Sequence, residues 1–238
     1  MHQRSNRQGL RPLDAWPLCL LLLVLCMVWT AGVGEALGLD ELVARVQARY
    51  DRTRQLHADF RQETRLHGFD QVQTGGGQVW ILKPGMMRWD YAKPERQTII
   101  ANGDTLWIYL PQDRQVIRDQ VNHSMGTRTP ALFLAGQAQL TELFSITGAP
   151  AQDSSEAGLL PLELTPKAGA LPHTHVQLGI DASSYLVRRV RLTDPLGNST
   201  TMWFSNIDTE GKVDPSMFQF QVPPGVDVIS PPTFPGPR

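Results

Sequence analysis

The sequence predicts an α+β fold in which one strongly curved antiparallel sheet carries helices on its concave side. Short segments with a two-residue apolar period follow one another along most of the chain. One amphipathic helical pattern precedes them, and one pair of short apolar helical patterns interrupts them. Strands in series can share one sheet, and the helices then cover its apolar face.

Residues 1–36 have the features of a secretory signal peptide. Three arginines within the first eleven residues form a basic head, and an apolar run from Pro17 to Val33 follows. Small residues then favour cleavage after Ala36. The alternative is an uncleaved membrane anchor, but the run is short for a membrane span. We therefore expect cleavage and export, with a mature chain that starts at Leu37.

The composition of the mature chain argues against several classes of protein. Both cysteines, Cys19 and Cys26, lie in the signal peptide, so no disulfide, thiolate nucleophile or cysteine metal site is expected. Acylation of Cys26 is not expected, because Leu25 precedes it where a small residue is needed. The whole chain has a net charge of −1; the signal peptide carries three arginines and two acids, so −2 remains. A chain of this charge without Lys/Arg blocks is not expected to bind nucleic acid.

The first half of the mature chain predicts one helix followed by a meander of strands. Asp40 is predicted to cap the helix, whose apolar residues follow helical spacing as far as Tyr50. From residue 56 the apolar period becomes two. Asn102-Gly103 is the strongest hairpin signal in the chain. Strands are predicted from residue 56 and at 78–82, 87–91, 99–100, 106–110 and 114–118.

Residues 122–147 interrupt this pattern. Thr129-Pro130 precedes "ALFLAG", which predicts a short apolar helix that ends at Gly136. "LTELFSI" predicts a second short helix with Leu140, Leu143 and Phe144 on one face. Strands are then predicted at 159–165, 173–180, 186–193, 199–208 and 217–222, and the proline-rich residues 230–238 are predicted to form a flexible tail.

The sequence contains no constellation of catalytic residues. "GGG" lacks the Lys-Ser/Thr of a phosphate loop, and neither a G-x-S-x-G nor an H-E-x-x-H motif occurs. His173 and His175 have a metal-like spacing, but without a third ligand we interpret them as an exposed pair. We predict a protein that is not an enzyme and that needs no metal or cofactor.

The apolar residues are the unusual feature. Residues 78–91, "QVWILKPGMMRWDY", contain two Trp and two Met around a lone Lys83. Met is flexible and Trp tolerates a half-wet position, so both suit a surface that fits variable apolar partners. The same residues would equally fill a β core, and the pattern alone leaves both interpretations open.

The order of these segments resembles the periplasmic outer-membrane lipoprotein carrier family, LolA. The resemblance covers about residues 40–229. It is most specific at 77–116, where "GGGQVWILKPGMMRWDYAKPE" and "IIANGDTLWIYLPQDRQV" carry the Trp, Gly and Pro residues of the family at matching spacing. It implies that residues 37–229 form an open half-barrel of about eleven strands, with short lid helices over a hydrophobic cavity.

The resemblance also implies a function. The expected protein is a periplasmic carrier, working as a monomer, that shields the acyl chains of lipoproteins in its cavity. It would accept acylated lipoproteins from an inner-membrane lipoprotein-releasing ABC transporter and pass them to an outer-membrane lipoprotein receptor. A carrier of the same fold for another lipid or glycolipid is the alternative that the sequence leaves open.

The resemblance assigns roles to particular residues. In the family, an Arg before the first Pro of this stretch is thought to bond lid carbonyls and hold the empty form shut. Here that position is Lys83, which lacks the planar fork of Arg, so we expect a weaker latch; the alternative is an ordinary surface lysine. The expected lid residues are Leu132, Phe133, Leu134 and Phe144. The expected cavity wall consists of Phe60, Trp80, Leu82, Met87, Trp89, Tyr91 and Ile100.

The physical task sets further expectations. Three acyl chains contain on the order of 45 methylenes, and at about 0.8 kcal/mol each they oppose leaving a membrane by tens of kcal/mol. A carrier has to offset most of this free energy and still release its cargo. We therefore expect a plastic, partly unoccupied wall, a closed lid in the empty protein and an open lid in the loaded one.

Overall fold

The computed structural model describes residues 37–121, 133–136, 139–148, 158–167 and 175–230. The expectations for the signal peptide at 1–36, for Leu132 and His173 and for the tail beyond residue 230 lie outside these ranges. The described residues from Gly38 onward form one compact unit. Within the described ranges, no helix has the length and hydropathy needed to cross a membrane.

Helix α1 (Leu39–Arg52) forms where the amphipathic pattern predicts it. Leu42, Val46 and Tyr50 recur at four-residue spacing and are buried, so they lie on one face of the helix. Gly38 occupies the N-cap position, and the prediction that Asp40 caps the helix is wrong. Asp40 lies inside the first turn, where a negative charge favourably meets the helix dipole.

Twelve strands in the described residues form one sheet. The order across it is β12-β6-β5-β4-β3-β2-β1-β11-β10-β9-β8-β7, and its edges β12 and β7 do not pair with each other. All neighbours are antiparallel except β12 and β6. The strands are β1 (Gln55–Arg65), β2 (Val72–Leu82), β3 (Met86–Lys93), β4 (Gln97–Asn102), β5 (Thr105–Leu110), β6 (Gln115–Gln120), β7 (Phe144–Gly148), β8 (Leu159–Pro166), β9 (His175–Asp181), β10 (Val187–Thr193), β11 (Ser199–Asp208) and β12 (Asp227–Ile229).

This open sheet with few helices confirms the predicted fold class, with twelve strands in place of about eleven. One difference lies at Phe144, which the sequence predicts on a helix. Helix α2 (Leu140–Leu143) ends one residue earlier, and Phe144 adopts extended geometry and begins β7. A capping box between Gln139 and Glu142 closes the first turn of α2.

The second difference lies near the C-terminus, where the sequence predicts a strand at 217–222. Residues Pro215–Phe218 instead form a 3-10 helix. The Asp214 side chain accepts a hydrogen bond from Ser216 N, and Pro215 fits the first turn because its missing N–H is not needed there. Phe218 is completely buried, and the helix packs against β3 and β4.

The "GGG" segment lies inside β2, and Gly77 allows two backbones to approach closely. A Cβ at Gly77 would stand 1.9 Å from Asp90 O. The register between β2 and β3 shifts between Gly76 and Gly77. Glycine at such a shift permits a bend that other residues would block sterically.

The sheet curls around the C-terminal half of α1. Tyr50 and side chains of five neighbouring strands, β3, β2, β1, β11 and β10, line a single small cavity. Five strands of a flat sheet would span about 19 Å, since neighbouring strands lie about 4.8 Å apart. The residues can therefore meet only if the sheet is strongly curved, as the sequence predicts.

Candidate functional site: an apolar interior under helix α1

The inner wall of the curved sheet is built from alternate residues of β1, β2 and β3. Ile81 pairs with Met87 and Val79 pairs with Trp89, so these four side chains share one face. Phe60 reaches the same face through Gly77, which pairs with both Phe60 and Tyr91. These residues are buried except for Tyr91, which is half-buried.

Aromatic contacts organise this wall. The Phe60 ring lies edge-on to Trp89 at 5.0 Å and to Tyr91 at 4.8 Å between centroids. Such edge-to-face pairs are favourable beyond their burial. Tyr91 turns its hydroxyl to Gln62, donating to Oε1 at 3.0 Å. Its burial raises the pKa of the Tyr91 phenol. The polar end of the wall is therefore satisfied, and its centre presents only carbon and indole surface.

Helix α1 and residues 133–136 cover the wall, and we call them the inner cover. The Tyr50 ring packs against Phe133 at 4.6 Å between centroids. The Tyr50 hydroxyl accepts a hydrogen bond from Val187 N at 3.2 Å. Burial raises the pKa of Tyr50 to about 12. Tyr50 thus links both parts of the inner cover, α1 and residues 133–136, to β10.

Where described residues line it, the interior is nearly filled in this closed form. Tyr50, Leu134 and the wall enclose a cavity of only about 10 Å³. This is roughly the room that one water molecule needs. The expectation of a partly unoccupied wall is therefore wrong for this state, because side chains of the inner cover take the place of a ligand. An acyl chain can enter only if these side chains move away.

Several polar contacts between described residues hold the inner cover. On α1, Arg45 donates to the Tyr185 hydroxyl and Arg49 Nη2 donates to Thr209 Oγ1 at 2.9 Å. The Lys83 ammonium donates to Tyr50 O at the end of α1. The Lys83 stem also crosses Gly136, where an added Cβ would stand 2.5 Å from Lys83 Cδ. Gly85 N donates to Ala135 O at 3.2 Å. A further bond joins α1 to α2: Gln47 Oε1 on α1 accepts a hydrogen bond from Leu140 N, at the start of α2, at 3.1 Å.

Lys83 therefore touches both parts of the inner cover. Desolvation lowers the pKa of its ammonium, and the nearby Asp51 carboxylate partly opposes this shift. The acceptor seen here is a carbonyl of α1, whereas the resemblance implied carbonyls of the lid. A backbone carbonyl at a helix C-terminus is a favourable partner for a cation.

Three of the expected wall residues lie on the other face of the sheet. Trp80 pairs with Arg88, and Arg88 pairs with Ile100, so these side chains point away from Met87 and Trp89. Leu82 lies two residues after Trp80 on β2, so its side chain points to the same face of the sheet as Trp80. Trp80 stacks on His57 at 4.9 Å between centroids, and Ile100 lies on the face that the 3-10 helix covers. We therefore omit Trp80, Leu82 and Ile100 from the wall.

The expected lid residues separate in a similar way. Phe133 and Leu134 are buried against the interior, and Leu132 lies outside the described residues. Phe144 is buried in β7. It borders an open groove of about 500 Å³ between β7 and the N-terminal half of α1, together with Leu39, Val43 and Ile146.

Several interior residues were not among the expected site residues. Tyr50 was recognised only as an apolar position of a helix, and its central place depends on how the sheet curls. Val79 and Ile81 were missed because all four residues at 79–82 are apolar, so alternation cannot give their phase. The other missed cavity residues are Leu56, Val187, Phe204 and Ile207.

The described residues offer no evident metal site. Nowhere in the described ranges do three or more His, Cys, Asp or Glu side chains form a group that could hold a metal ion. His175 lies beside Glu163, with 3.7 Å between Nδ1 and Oε1.

Comparison with solved structures supports the fold alone. An uncharacterized conserved protein of Thermus thermophilus superposes with a TM-score of 0.50 at 12% identity, covering 80% of this chain and 98% of the other. A LolA superfamily protein of Nitrosomonas europaea gives a TM-score of 0.46 at 14% identity, with 78% and 99% covered.

Sequence comparison is more specific. The model of the family "Outer membrane lipoprotein carrier protein LolA" matches residues 51–221. An outer-membrane lipoprotein carrier protein of Methylococcus capsulatus is 33% identical over 78% of this chain and 86% of its own. The protein of that name in Neisseria meningitidis serogroup B is 30% identical over 67% and 74%, respectively. This chain therefore belongs to the outer-membrane lipoprotein carrier family LolA.

Proposed function

We propose that this protein is a periplasmic carrier that shields the acyl chains of lipoproteins between the inner wall of its sheet and the inner cover. Residues 1–36 act as a cleaved signal peptide that exports the chain. The protein takes its cargo from an inner-membrane lipoprotein-releasing ABC transporter and delivers it to an outer-membrane receptor, and it works as a monomer. The proposal involves no reaction, metal or cofactor.

The observation that carries this proposal is an apolar interior whose contents belong to the inner cover. Tyr50 and Leu134 fill the space over Val79, Ile81 and Trp89 and leave about 10 Å³ free, and Phe133 packs on the Tyr50 ring. Withdrawing the inner cover would expose these apolar surfaces, at about 25 cal/mol per Å², unless a ligand replaced it. An empty protein should therefore stay closed, and an acyl chain should stabilise the open form.

Weak attachments keep this exchange reversible. The contacts described for Lys83 and Gly85 are hydrogen bonds, each of which contributes on the order of 1 kcal/mol net. Burying the methylenes of several acyl chains at about 0.8 kcal/mol each can offset this cost together with the cost of exposing the side chains of the inner cover. The remaining affinity must stay modest, because the cargo has to leave again. A plastic wall containing Met87 suits that requirement.

Identification of the natural cargo tests the proposal directly. The protein would be purified from a native periplasm without detergent, and bound molecules would be identified by mass spectrometry. An acylated lipoprotein at near one-to-one ratio is the expected result. A free lipid or glycolipid in its place would contradict lipoprotein transfer and would favour the alternative carrier function.

A matched pair of variants tests which face binds the acyl chain. Trp89 lies on the inner wall and Trp80 on the outer face, on neighbouring strands in the same part of the sheet. We expect Trp89→Ala to weaken binding of a fluorescent fatty acid at least five-fold and Trp80→Ala to change it less than two-fold. Equal losses in two folded variants would contradict the assignment of the inner wall.

A further inference from the structure

Two neighbouring turns present large apolar side chains to solvent at one end of the sheet. Phe69 lies in the turn between β1 and β2 and is 71% exposed; Leu196 lies in the turn between β10 and β11 and is 74% exposed. Leu66 adds a smaller exposed surface beside Phe69. We call Leu66, Phe69 and Leu196 the apolar tip.

The two turns form one joined structure. His67 N donates to Asn198 Oδ1 at 2.8 Å, across from one turn to the other. The turns are packed closely, since a Cβ on Gly197 would stand 3.1 Å from the His67 ring. The apolar side chains are therefore held on a common support.

The second turn is organised from within. Asp194 Oδ1 accepts hydrogen bonds from Leu196 N and Asn198 N, both at 2.9 Å, and Asp194 Oδ2 accepts from Asn198 Nδ2 at 2.8 Å. The bond from Asn198 and the backbone bonds hold the pKa of the Asp194 carboxyl below its usual value. Leu196 is thus presented by a turn whose polar backbone groups already have partners, which lowers the cost of moving it into an apolar medium.

The apolar tip lies far from the attachments of the inner cover. Arg65 pairs with Val72 at the end next to the tip, whereas Gln55 pairs with Leu82 at the end next to Lys83. The eleven residues of β1 extend over about 36 Å. Contact at the tip therefore leaves the inner cover free to move.

We propose that the apolar tip inserts shallowly into the interface of a lipid bilayer. Three side chains expose far less than the about 800 Å² per partner that a stable protein complex usually buries. Their surface is also a protrusion, which a protein partner could bind only with a matching pocket. A bilayer needs no such pocket, because its interface accepts Phe and Leu side chains of any arrangement.

The charges near the tip indicate how it would bind. Arg65, Asp70 and Asp194 stand in or beside the two turns and have mixed signs. They give no strong attraction to anionic headgroups, so the contact depends on apolar insertion and is insensitive to salt. So small an apolar area gives weak and reversible attachment, which allows a carrier to visit a membrane and leave it. The inference rests on the proposed function in this respect, because a carrier of acylated cargo has to meet a membrane.

Flotation with vesicles tests the inference. The chain from residue 37 would be mixed with phosphatidylcholine vesicles at 50 and 500 mM NaCl, beside the variant Phe69→Ser/Leu196→Ser. We expect the double variant to float at least five-fold less than the wild type at both salt concentrations. Val222→Ser is the matched control, and it should float like the wild type. Val222 is also exposed, but it lies between the 3-10 helix on β3 and β4 and the edge strand β12, whereas the two turns of the tip flank β1 and β11.

Three outcomes would overturn the inference. The wild type could float no more than the double variant, or it could bind only vesicles with anionic lipid and lose them at 500 mM NaCl. The third is that tip variants lose transfer to a receptor protein while the wild type ignores vesicles, which would assign the tip to a protein partner.

A site-specific probe gives a second test that does not depend on losing an interaction. The chain from residue 37 has no cysteine, so Phe69→Cys and Val222→Cys can each carry one environment-sensitive fluorophore. Vesicles should shift the emission to the blue at position 69 and leave it unchanged at 222. No shift at 69 would contradict insertion.

Failure of this inference can be told apart from failure of the proposed function. The same preparations would be titrated with a fluorescent fatty acid. If the protein binds the fatty acid but not vesicles, only the proposed membrane insertion of the apolar tip is overturned. If it binds vesicles but not the fatty acid, the carrier function is overturned and membrane insertion of the tip stands.

Discussion

The two faces of β3 and β4 are both covered, but the two covers are attached differently. The outer face carries the 3-10 helix Pro215–Phe218. Within this helix, Met217 O accepts a hydrogen bond from Arg88 Nη1 at 2.9 Å. Just before the helix, Val213 N donates to Gln55 Oε1 at 3.2 Å. The chain then continues into β12, the edge strand that pairs with β6. The outer cover is thus joined to the sheet ladder itself.

On the inner face, α1 runs through Thr53 and Arg54 into β1, whereas the described residues 133–136 belong to no strand of the sheet. The described attachments of the inner cover are the bonds of Lys83, Gly85 and Tyr50, the bonds that Arg45 donates to Tyr185 and Arg49 donates to Thr209, and the packing of Phe133 and Leu134. The difference teaches that burial alone does not distinguish a structural core from a binding interior. What distinguishes them is whether the covering segment can leave without breaking a ladder of backbone hydrogen bonds.

The largest expected effect lies on the outer side. Phe218→Ala should lower the free energy of unfolding by about 3–5 kcal/mol, because it removes a completely buried ring from a cover that stays in place until the sheet unfolds. Chemical denaturation of the chain from residue 37 measures this change. Val222→Ala, at an exposed position, should cost about 0.5 kcal/mol or less. A loss below about 1 kcal/mol for Phe218→Ala would show that the outer cover also detaches.

A smaller effect comes from ionisation of Tyr50. In the unfolded chain a tyrosine loses its proton near pH 10, whereas in the folded protein burial raises the pKa of Tyr50 to about 12. Between these values the unfolded state binds fewer protons, so stability falls as pH rises from 10 to 12, by roughly 2 kcal/mol in total.

The difference between the wild type and Tyr50→Phe isolates this contribution. Tyr91 also has a raised pKa through burial, and it is present in both proteins. The stability gap between them should shift by roughly 2 kcal/mol over this pH range, in favour of the variant. A constant gap would contradict a buried, protonated Tyr50 in the folded protein.

Phe133→Ala should sharpen the comparison with Phe218→Ala. If the inner cover detaches before the sheet unfolds, the loss in global stability cannot exceed the free energy of opening, because Phe133 is already exposed in the open form. We expect a loss of about 1–2 kcal/mol together with several-fold more binding of a hydrophobic dye. A loss as large as that of Phe218→Ala, without more dye binding, would mean that both covers belong to one core.

The smallest expected effect concerns Lys83. Lys83→Met removes the donor to Tyr50 O but keeps a stem of similar length beside Gly136. Because the ammonium is about half exposed, the closed form should lose only about 1 kcal/mol, seen as increased dye binding and slower cargo hand-off. Lys83→Arg should behave like the wild type or close more tightly. If dye binding and transfer are unchanged in Lys83→Met, Lys83 has no latch role.

The sequence predicts the order of elements better than it predicts which face is the interior. Alternation identified Met87, Trp89 and Tyr91 as one set because charged Arg88 and Asp90 separate them. It failed for Trp80 and Ile100, since their neighbours in sequence are also apolar and both faces of the sheet are covered. Phase in such strands is set by pairing with the next strand, which local sequence does not contain.

The same limit explains the two segments whose secondary structure the sequence predicts wrongly. Phe144 continues an apolar helical pattern, but pairing with Pro166 on β8 draws it into the sheet. Residues 217–222 alternate like a strand, but Asp214 and Pro215 start a 3-10 helix that buries Phe218. In both cases tertiary contacts overcame a weak local preference.

The most direct test of the account is to lock the inner cover to the sheet. In the variant Lys83→Cys/Gly136→Cys, the sulfur at position 83 would stand near the present Lys83 Cγ, which lies 3.1 Å from the position of a Gly136 Cβ. Gly136 has a φ of +69°, which strains a cysteine there, but the locked and reduced forms share this strain and are compared with each other. The chain from residue 37 has no other cysteine. The thiols would be joined as a disulfide or by a short bismaleimide, and binding of a fluorescent fatty acid would be measured. The account predicts at least ten-fold weaker binding in the locked form and recovery when the disulfide is reduced; equal binding in the locked and reduced forms would contradict it.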